Sequence, residues 1–426
     1  MSRQTRTGRT FSPFETVACS DQEFEQVLSL ALDRLSNENG GDDAADAADA
    51  EESEDDAATY RSSNSTMNSA SYGSDQNTHS SQMSGSIHLT KAEKDKKRRQ
   101  IKRKAMREER FWTQGQPPTK VVARIMKEME IVSAQVQQGS VEMLPSAACG
   151  YQAMREGAER NRRVRTLNDA LSEGYRVVKW DGIKTKLIAT ESNRIVIGAC
   201  VGRTMDEEWT TVCEDAYAAI LQAGTELSGD DAHKKPNPRG DFVTLLSGII
   251  HGHGSKEAHQ VKSVRHSDVI QRLTDNQGLR RLAGFASASF STFAPKVYAY
   301  YHEKMSMLRA HSPALKPPFA HSVFACAGFN VGQRVVTFMH RDCMNCPFGW
   351  CAVHSMGRFN PETGGHMLLD DLKLAIEFPP NSLMLIPSAI LKHGTASIAE
   401  GETRASFTQF SPGNLFRSLV VTIYYD

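Results

Sequence analysis

After Pro318 the chain consists of short runs of β-branched and aromatic residues, punctuated by Gly, Pro and Asn. The runs are QRVVTFM, FGWCAV, HMLLD, LAIEF, LMLIPS, ASFTQF and SLVVTIYY. Many short strands at this spacing are typical of an antiparallel sandwich or barrel. These runs limit the fold more strongly than any other feature of the sequence, and they predict a β core over about residues 320–426.

The region before this core predicts both helices and strands. Residues 121–139, VVARIMKEMEIVSAQVQQG, have a helical period, and residues 175–202 predict strands with a turn around Ser192 and Asn193. Residues 205–224 predict a helix with an acidic start, closed by Gly224, and residues 266–311 predict two or three more. The fold class expected for the globular part is therefore α+β.

The N-terminal quarter has a different composition. Residues 21–35 show helical spacing, but residues 37–88 contain almost no large apolar side chain and cannot offset their ordering entropy by burial. We therefore expect residues 1–90 to be a mostly disordered acidic and Ser-rich region with one short helix. Residues 91–117 are expected to form a basic helical segment, and residues 118–426 the globular domain.

The net charge of +0 conceals two opposed charge blocks. Residues 41–59 contain nine acidic side chains and no basic one, whereas residues 91–110 contain eleven Lys or Arg against four Asp or Glu. A basic block of this kind is typical of nuclear localisation or nucleic-acid binding. The acidic run could fold back on the basic tract and compete with DNA for it.

Cysteine content and hydropathy predict an intracellular protein. The eight cysteines do not suggest a secreted disulfide framework, the N-terminus lacks the apolar core of a signal peptide, and no apolar run approaches the length of a membrane span. Together with the basic tract, these observations predict a nuclear location and no membrane partner.

The stretch TFMHRDCMNCPFGWCAVH, residues 337–354, contains the residues best suited to chemistry. A kinase catalytic loop is excluded because Pro347 stands where Asn is required. A zinc site of the form C-x2-C-x4-C-x2-H is an alternative, with four candidate ligands: Cys343, Cys346, Cys351 and His354. If a strand begins at PFGW, however, Cys351 and His354 point to opposite faces, and buried thiols that only pack are the simpler interpretation.

An iron site is the third interpretation, and it needs residues outside that stretch. His340 and Asp342 form H-x-D at a strand end, and His393 follows 53 residues later. Two imidazoles and one carboxylate are the facial triad of non-haem Fe(II) oxygenases. Arg404 follows on the next strand, where a guanidinium can hold a dicarboxylate, and Ser406 adds a hydroxyl on the same face.

The sequence from HRDCMNCPFGW to ETRASFTQF, which contains these residues, resembles the fungal branch of the Tet/JBP-like Fe(II)/2-oxoglutarate-dependent DNA-base dioxygenases. The resemblance extends upstream through GACVGRTMDEEW and RRLAGFASASFSTFAPKVYAYY, and covers roughly residues 160–417. It implies a double-stranded β-helix (jelly-roll) core with flanking helices. It also implies iron at His340, Asp342 and His393, 2-oxoglutarate at Arg404, and a pocket wall shaped by Asn345, Asn360 and the TGG turn.

A base inside a duplex must be flipped out of the stack to reach such a centre, which calls for basic groups near phosphates and polar groups near the base. Arg239, Lys256, Lys262 and Arg265 flank the loop GIIHGHGSKE, which contains His251; a plain surface loop is the alternative. Asp241 is a candidate for an exocyclic amine, and His366 for the pocket lining.

The predicted function is oxidation of 5-methylcytosine in DNA to 5-hydroxymethylcytosine and further products, using Fe(II) and 2-oxoglutarate. N6-methyladenine is a second substrate, because hydroxylation of an N-methyl group leads to demethylation. Two alternatives stay open: a protein or small-molecule hydroxylase on the same fold, and a non-catalytic chromatin-binding paralogue.

Overall fold

The computed structural model describes residues 3–4, 10–11, 95, 98–99, 102, 125, 127–136, 150–154, 163–191, 195–204, 207–228, 237–252, 255, 257–261 and 266–425. Two compact units divide the chain, one of Met1–Ser20 with Arg110–Asp426 and one of Asp21–Glu109. The described residues of the second unit, Asp95, Arg98, Arg99 and Lys102, are helical and exposed. The predicted helix at 21–35, the acidic run and most of the basic tract lie outside the described residues.

The strands of the described residues are β1 (Arg3–Gln4), β2 (Thr10–Phe11), β3 (Glu130–Ala134), β4 (Arg176–Val178), β5 (Lys186–Thr190), β6 (Val196–Val201), β7 (Val243–Ile250), β8 (His259–Gln260), β9 (Cys326–Val331), β10 (Cys351–Arg358), β11 (Met367–Leu369), β12 (Leu374–Ile376), β13 (Ser382–Ile386), β14 (His393–Thr395) and β15 (Thr403–Phe410). The helices are α1 (Leu167–Ser172), α2 (Trp209–Leu227), α3 (Ser267–Asp275), α4 (Gln277–Phe293), α5 (Pro295–His311) and α6 (Gly413–Tyr425).

Two sheets form the core of the larger unit. The large sheet has nine strands in the order β3-β5-β6-β13-β10-β15-β9-β7-β8, and the small sheet has the order β14-β11-β12-β4. Side chains from both sheets share one apolar cluster; Ile197 and Ile386 come from the large sheet, Leu369 and Ile376 from the small one. Burying side chains of this size contributes about 1.5–3 kcal/mol each, so this cluster holds the two sheets face to face.

The chain alternates between the sheets as it advances. β10 lies in the large sheet, β11 and β12 in the small one, β13 in the large, β14 in the small and β15 in the large. The pairs β10–β13, β10–β15 and β11–β14 are antiparallel. This winding is that of a double-stranded β-helix, which confirms the predicted fold class.

Helices cover the outer face of the large sheet. Ile220 of α2 packs in one cluster with Phe329 of β9 and Phe407 of β15, whose rings stack at a centroid distance of 5.4 Å. Asn276 ends α3 and caps α4, accepting the N–H of Leu279 at 2.8 Å. The helices therefore close one side of the large sheet and leave its other face for the small sheet and the site.

The predicted strand at QRVVTFM, residues 333–339, is absent, and Arg334 makes only an isolated bridge with Arg404. Two further sequence expectations are wrong. Residues 130–134 form strand β3 rather than part of a helix: they pair in parallel with β5, burying Val132 and Ala134 and leaving Ile131 exposed. The run SLVVTIYY lies in helix α6, where Leu415, Phe416 and Leu419 enter the core. In both segments the β-branched content suits either structure, and the tertiary partner decides.

No described helix is long and apolar enough to cross a bilayer.

Candidate metal centre

His340 and His393 face each other across an isolated antiparallel bridge. The N–H of His340 donates to the carbonyl of His393 at 2.8 Å, and the N–H of His393 donates back to the carbonyl of His340 at 2.9 Å. Asp342 is fixed in the same way, because its N–H donates to the carbonyl of Ser388 at 2.9 Å. Backbone hydrogen bonds thus hold all three residues in place.

Gly394 makes this close approach possible. A Cβ atom there would lie 3.1 Å from the carbonyl oxygen of Thr337 and 3.2 Å from that of Phe338, closer than nearly all such contacts in proteins. Any larger residue would push β14 away from the segment that carries His340.

The three side chains converge. One nitrogen from each imidazole and one carboxylate oxygen of Asp342 lie within 4.8 Å of one another. Nε2 of His340 is 3.7 Å from Oδ1 of Asp342, and the two imidazole centroids are 4.4 Å apart. Small side-chain rotations would bring these atoms to metal-binding distances.

The backbone also sets the tautomer of both imidazoles. Nδ1 of His340 is 2.8 Å from the carbonyl oxygen of Phe338, and Nδ1 of His393 is 2.9 Å from that of Leu391. Because a carbonyl only accepts, each Nδ1 carries the proton. Each Nε2 then keeps its lone pair, the form that a histidine metal ligand requires.

Burial lowers the pKa of His340 to about 3, helped by the neighbouring His393, and burial likewise lowers the pKa of His393. For Asp342, burial alone would raise the carboxyl pKa, but the Arg239 guanidinium and the two histidines reverse the effect and lower it. At neutral pH the set is therefore two neutral imidazoles and one carboxylate, a net negative site suited to a divalent cation.

Arg239 joins this centre rather than standing apart on the surface. Its Nη2 atom donates to Oδ1 of Asp342 at 2.5 Å, and its carbonyl accepts the N–H of Phe338 at 2.8 Å. The side chain remains 44% exposed, so solvent and ligands still reach it. Its predicted contact with DNA stays a prediction, but its partner here is a candidate metal ligand.

Arg341, between two candidate ligands in sequence, points the other way. Its Nη2 atom donates to Oδ1 of Asp371 at 2.6 Å and its Nε atom to the carbonyl of Ile390 at 3.0 Å. The second oxygen of Asp371 accepts the N–H of Lys392 at 2.6 Å. This buried pair therefore ties the segment of His340 and Asp342 to the segment that leads into His393.

Arg404 is buried, only 1% exposed, and projects into the same cavity from β15. Its Nη1 atom donates to the carbonyl of Val335 at 2.9 Å, and the rings of Phe359 and Phe378 each lie 5.9 Å from its guanidinium carbon. Burial lowers its pKa to about 10, so the group is a cation at neutral pH. Among the described residues, no carboxylate pairs with it and its Nε atom has no hydrogen-bond partner.

Ser406 lies beside Arg404 on the cavity face and belongs to a chain of polar groups. Its oxygen accepts from Nδ2 of Asn330 at 2.9 Å, and Oδ1 of Asn330 accepts from the Thr244 hydroxyl at 2.8 Å. The hydroxyl proton of Ser406 is left to donate.

A cavity of about 80 Å³ connects these groups. It is lined by all five residues predicted for metal and co-substrate, and by two predicted for substrate, Arg239 and Asn345. The amide nitrogen of Asn345 is 3.2 Å from both Sγ of Cys351 and Oγ of Ser388.

Four other predicted substrate residues are not among those that line the cavity. Asp241 and Asn360 are exposed, and His251 is half-buried just after β7. His366 is fully buried just before β11, and burial lowers its pKa to about 4. Lys256, Lys262 and Arg265 lie outside the described residues.

The candidate zinc ligands do not come together. Cys351 lines the cavity, whereas Nε2 of His354 faces the carbonyl of Leu282 at 3.2 Å on the helix-covered side of the large sheet. Within the described part of the chain, the His340, Asp342 and His393 group is the one set able to hold a metal.

Three residues of the site had no signal in the sequence. Asn330, Asp371 and Ser388 are ordinary polar residues at strand ends, and their roles depend on partners far along the chain. A single sequence does not distinguish them from surface residues.

No protein-family model matches this chain, and no curated protein does. Solved structures that are similar to it in part include two oxygenase-related proteins. The TET protein NgTET1, in complex with 5mC DNA, is 12% identical with a TM-score of 0.38, covering 56% of this chain and 83% of its own. An oxidoreductase of the 2OG-Fe(II) oxygenase family from Burkholderia pseudomallei is 15% identical with a TM-score of 0.24, covering 49% and 91%.

Proposed function

We propose that this protein is an Fe(II)- and 2-oxoglutarate-dependent dioxygenase that oxidises 5-methylcytosine in duplex DNA. One observation carries the enzyme class: a cavity that joins two imidazoles and a carboxylate to a buried arginine without a carboxylate partner among the described residues. The substrate rests on the basic tract and on the sequence resemblance. N6-methyladenine is the second substrate proposed.

His340, Asp342 and His393 fit the metal. Two neutral nitrogen donors and one carboxylate suit Fe(II), and a three-residue set leaves coordination positions open. When bound, Fe(II) and 2-oxoglutarate supply O₂ activation and transfer of one oxygen atom to a C–H bond, with release of succinate and CO₂. Arg239 holds the Asp342 carboxylate, and the Nδ1 hydrogen bonds hold the imidazoles in the ligating tautomer.

Arg404 and Ser406 fit the far carboxylate of 2-oxoglutarate. A buried guanidinium without an acidic partner is costly, and a carboxylate ligand would satisfy both its charge and its Nε–H group. Ser406 can donate its hydroxyl proton to the same ligand. The rings of Phe359 and Phe378, each 5.9 Å from the guanidinium carbon, shield this end of the cavity from water.

A methylated base would enter from the exposed side, at Leu246 and Phe410. Because a base paired in a duplex cannot reach a recessed centre, the nucleotide would have to be flipped. The basic tract at 91–110 would add salt-sensitive attraction to phosphates and a signal for the nucleus, where we propose that the protein acts.

The test incubates the purified full chain with Fe(II), 2-oxoglutarate, ascorbate and duplexes that carry 5-methylcytosine or N6-methyladenine. Nucleosides are then quantified by mass spectrometry, and succinate is measured in parallel. The variant His340→Ala/Asp342→Ala removes two ligands, and His311→Ala, an exposed histidine at the end of α5, is the control.

Oxidised cytosine or lost adenine methylation that disappears only in the double variant would support both the enzyme class and the substrate. Succinate formation without a change in DNA would reject the DNA substrate and keep the enzyme class. If Fe(II) binds but neither 2-oxoglutarate nor base methylation is consumed, the proposal is rejected.

A further inference from the structure

A second cavity, of about 260 Å³, lies between α5 and the loop at residues 320–323. We call it the α5 pocket. The helix contributes residues at the spacing of one face: Tyr298, His302, Met305, Ser306 and Arg309. The loop contributes Ala320, His321, Ser322 and Val323. None of the residues that line the α5 pocket lines the metal-site cavity.

The floor of the α5 pocket is rigid. Tyr298 and Ser322 are each at most 1% exposed. The Ser322 hydroxyl donates to the side-chain oxygen of Gln409 on β15 at 2.6 Å. The His302 ring lies nearly parallel to that of Tyr298, with centroids 6.2 Å apart and an interplanar angle of 20°. Polar groups are thus held at fixed positions under the opening.

The charge of the α5 pocket is positive or neutral throughout. Its lining includes one guanidinium and two imidazoles, from Arg309, His302 and His321, and none of its described lining side chains is acidic. Burial raises the pKa of Tyr298, while a hydrogen bond with Ser287 and the charge of the Arg309 guanidinium act in the opposite direction. The acidic neighbour on α5, Glu303, pairs with Lys304 at 2.8 Å instead.

The α5 pocket lies near the open end of the metal-site cavity. Its loop leads into β9 at Cys326, and Cys326 pairs with Phe410 on β15. Phe410 lines the outer part of the cavity, while Gln409 beside it faces the α5 pocket through Ser322. The two cavities therefore use adjacent residues of one strand, from opposite faces of the sheet.

We propose that the α5 pocket binds a phosphate group. A guanidinium and imidazoles from both walls, with the exposed Ser306 hydroxyl on the rim, line the pocket from several directions, which suits a tetrahedral anion better than a planar carboxylate. The volume accommodates a phosphate with an ester substituent. The phosphate belongs either to a nucleic-acid backbone that passes the open end of the metal-site cavity, which rests on the proposed function, or to a free phosphate.

The experiment uses the full chain and two probes. Inorganic phosphate is titrated by isothermal calorimetry at constant ionic strength, and a fluorescent unmethylated duplex is titrated by anisotropy at several salt concentrations. Arg309→Gln removes the exposed cation, and Ser306→Asp places a negative charge on the exposed rim. Lys296→Gln, an exposed cation on the same helix outside the pocket, is the matched control.

Arg309→Gln and Ser306→Asp are expected to weaken phosphate binding at least about 10-fold, and Lys296→Gln less than about 2-fold. A DNA salt slope that falls by about 0.9 in Arg309→Gln, but not in Lys296→Gln, identifies the phosphate as one of the backbone. An unchanged slope with lost phosphate binding identifies a free phosphate. Absence of phosphate binding to the wild type, or full binding by both pocket variants, overturns the proposal.

Discussion

Two arginines beside the metal centre have largely buried side chains and differ in which groups lie next to them. Arg341 has a carboxylate of the protein, Asp371, at 2.6 Å, with both side chains 5% exposed. Arg404 is 1% exposed and has a backbone carbonyl, two aromatic rings and, among the described residues, no acid. The fold supplies a carboxylate partner for Arg341 and supplies none among the described residues for Arg404, whose charge is available to a ligand. Burial alone therefore does not distinguish structure from function; the missing partner does.

The largest effect on stability is expected at the Arg341–Asp371 pair. Arg341→Met should lower the free energy of unfolding by about 3–5 kcal/mol, because it leaves the Asp371 charge buried and alone. Chemical denaturation of the metal-free protein measures this. The double variant Arg341→Met/Asp371→Asn should recover most of the loss; if it is no more stable than the single variant, the pair does not act through its charges.

Arg404→Met should have the opposite sign in stability. Removing a buried cation without an acidic partner should leave the free energy of unfolding unchanged or raise it. Affinity for 2-oxoglutarate should fall by about 2–5 kcal/mol, which is roughly 30-fold to several-thousand-fold. Chemical denaturation of the metal-free protein tests the first statement, and titration calorimetry with 2-oxoglutarate and Mn(II) under anaerobic conditions tests the second. If the variant is destabilised and still binds 2-oxoglutarate normally, Arg404 has a structural role like that of Arg341.

His354, a buried histidine outside the metal centre, can be compared in the same way with the two histidines of the centre. Nε2 of His354 has a partner from the fold, the Leu282 carbonyl, and burial lowers its pKa to about 4. As pH falls below about 6.5, an imidazole in the unfolded chain takes up a proton whereas His354 in the folded protein does not. Stability should therefore fall between pH 6.5 and about 4, by on the order of 3 kcal/mol from this residue.

His354→Gln should flatten that pH dependence, measured by denaturation at pH 4.5 and pH 7 against His311→Gln as an exposed control. Added Mn(II) should not change the difference between wild type and His354→Gln, because His354 is not among the candidate ligands. A difference that vanishes with metal would mean that His354 is coupled to the centre.

The smallest effect is expected at Arg239, which is half in solvent and holds Asp342 from outside. Arg239→Gln should weaken Mn(II) or Co(II) binding by about 10- to 100-fold, the usual cost of losing a group that orients a metal ligand. The free energy of unfolding should change by less than about 1 kcal/mol, since an exposed pair contributes little. Unchanged metal affinity would show that Asp342 needs no support from Arg239.

The sequence predicted the constituents of the centre better than their surroundings. His340, Asp342, His393, Arg404 and Ser406 follow the predicted order along the chain, and the structure brings them to one cavity. Their partners were not predictable, because Arg239 and Asp342 are 103 residues apart and no local pattern links them.

Secondary structure failed where the tertiary partner decides. The segment at 130–134 has a helical period, but its pairing with β5 makes it a strand. The last run of β-branched residues has no strand beside it among the described residues and packs as a helix on the core instead. The substrate residues stay predictions, because a flipped base or any other substrate leaves no spacing rule in the chain.

The reciprocal backbone bonds between His340 and His393 have a consequence for how the centre is loaded. These bonds join two chain segments that are 53 residues apart through the backbone alone, so metal entry closes no loop and orders little backbone. If the proposed function holds, the apoprotein should therefore stay folded and should take up and release iron without refolding. A fall in iron supply would then stop the proposed activity while leaving the amount of protein unchanged, and the activity would return with the iron.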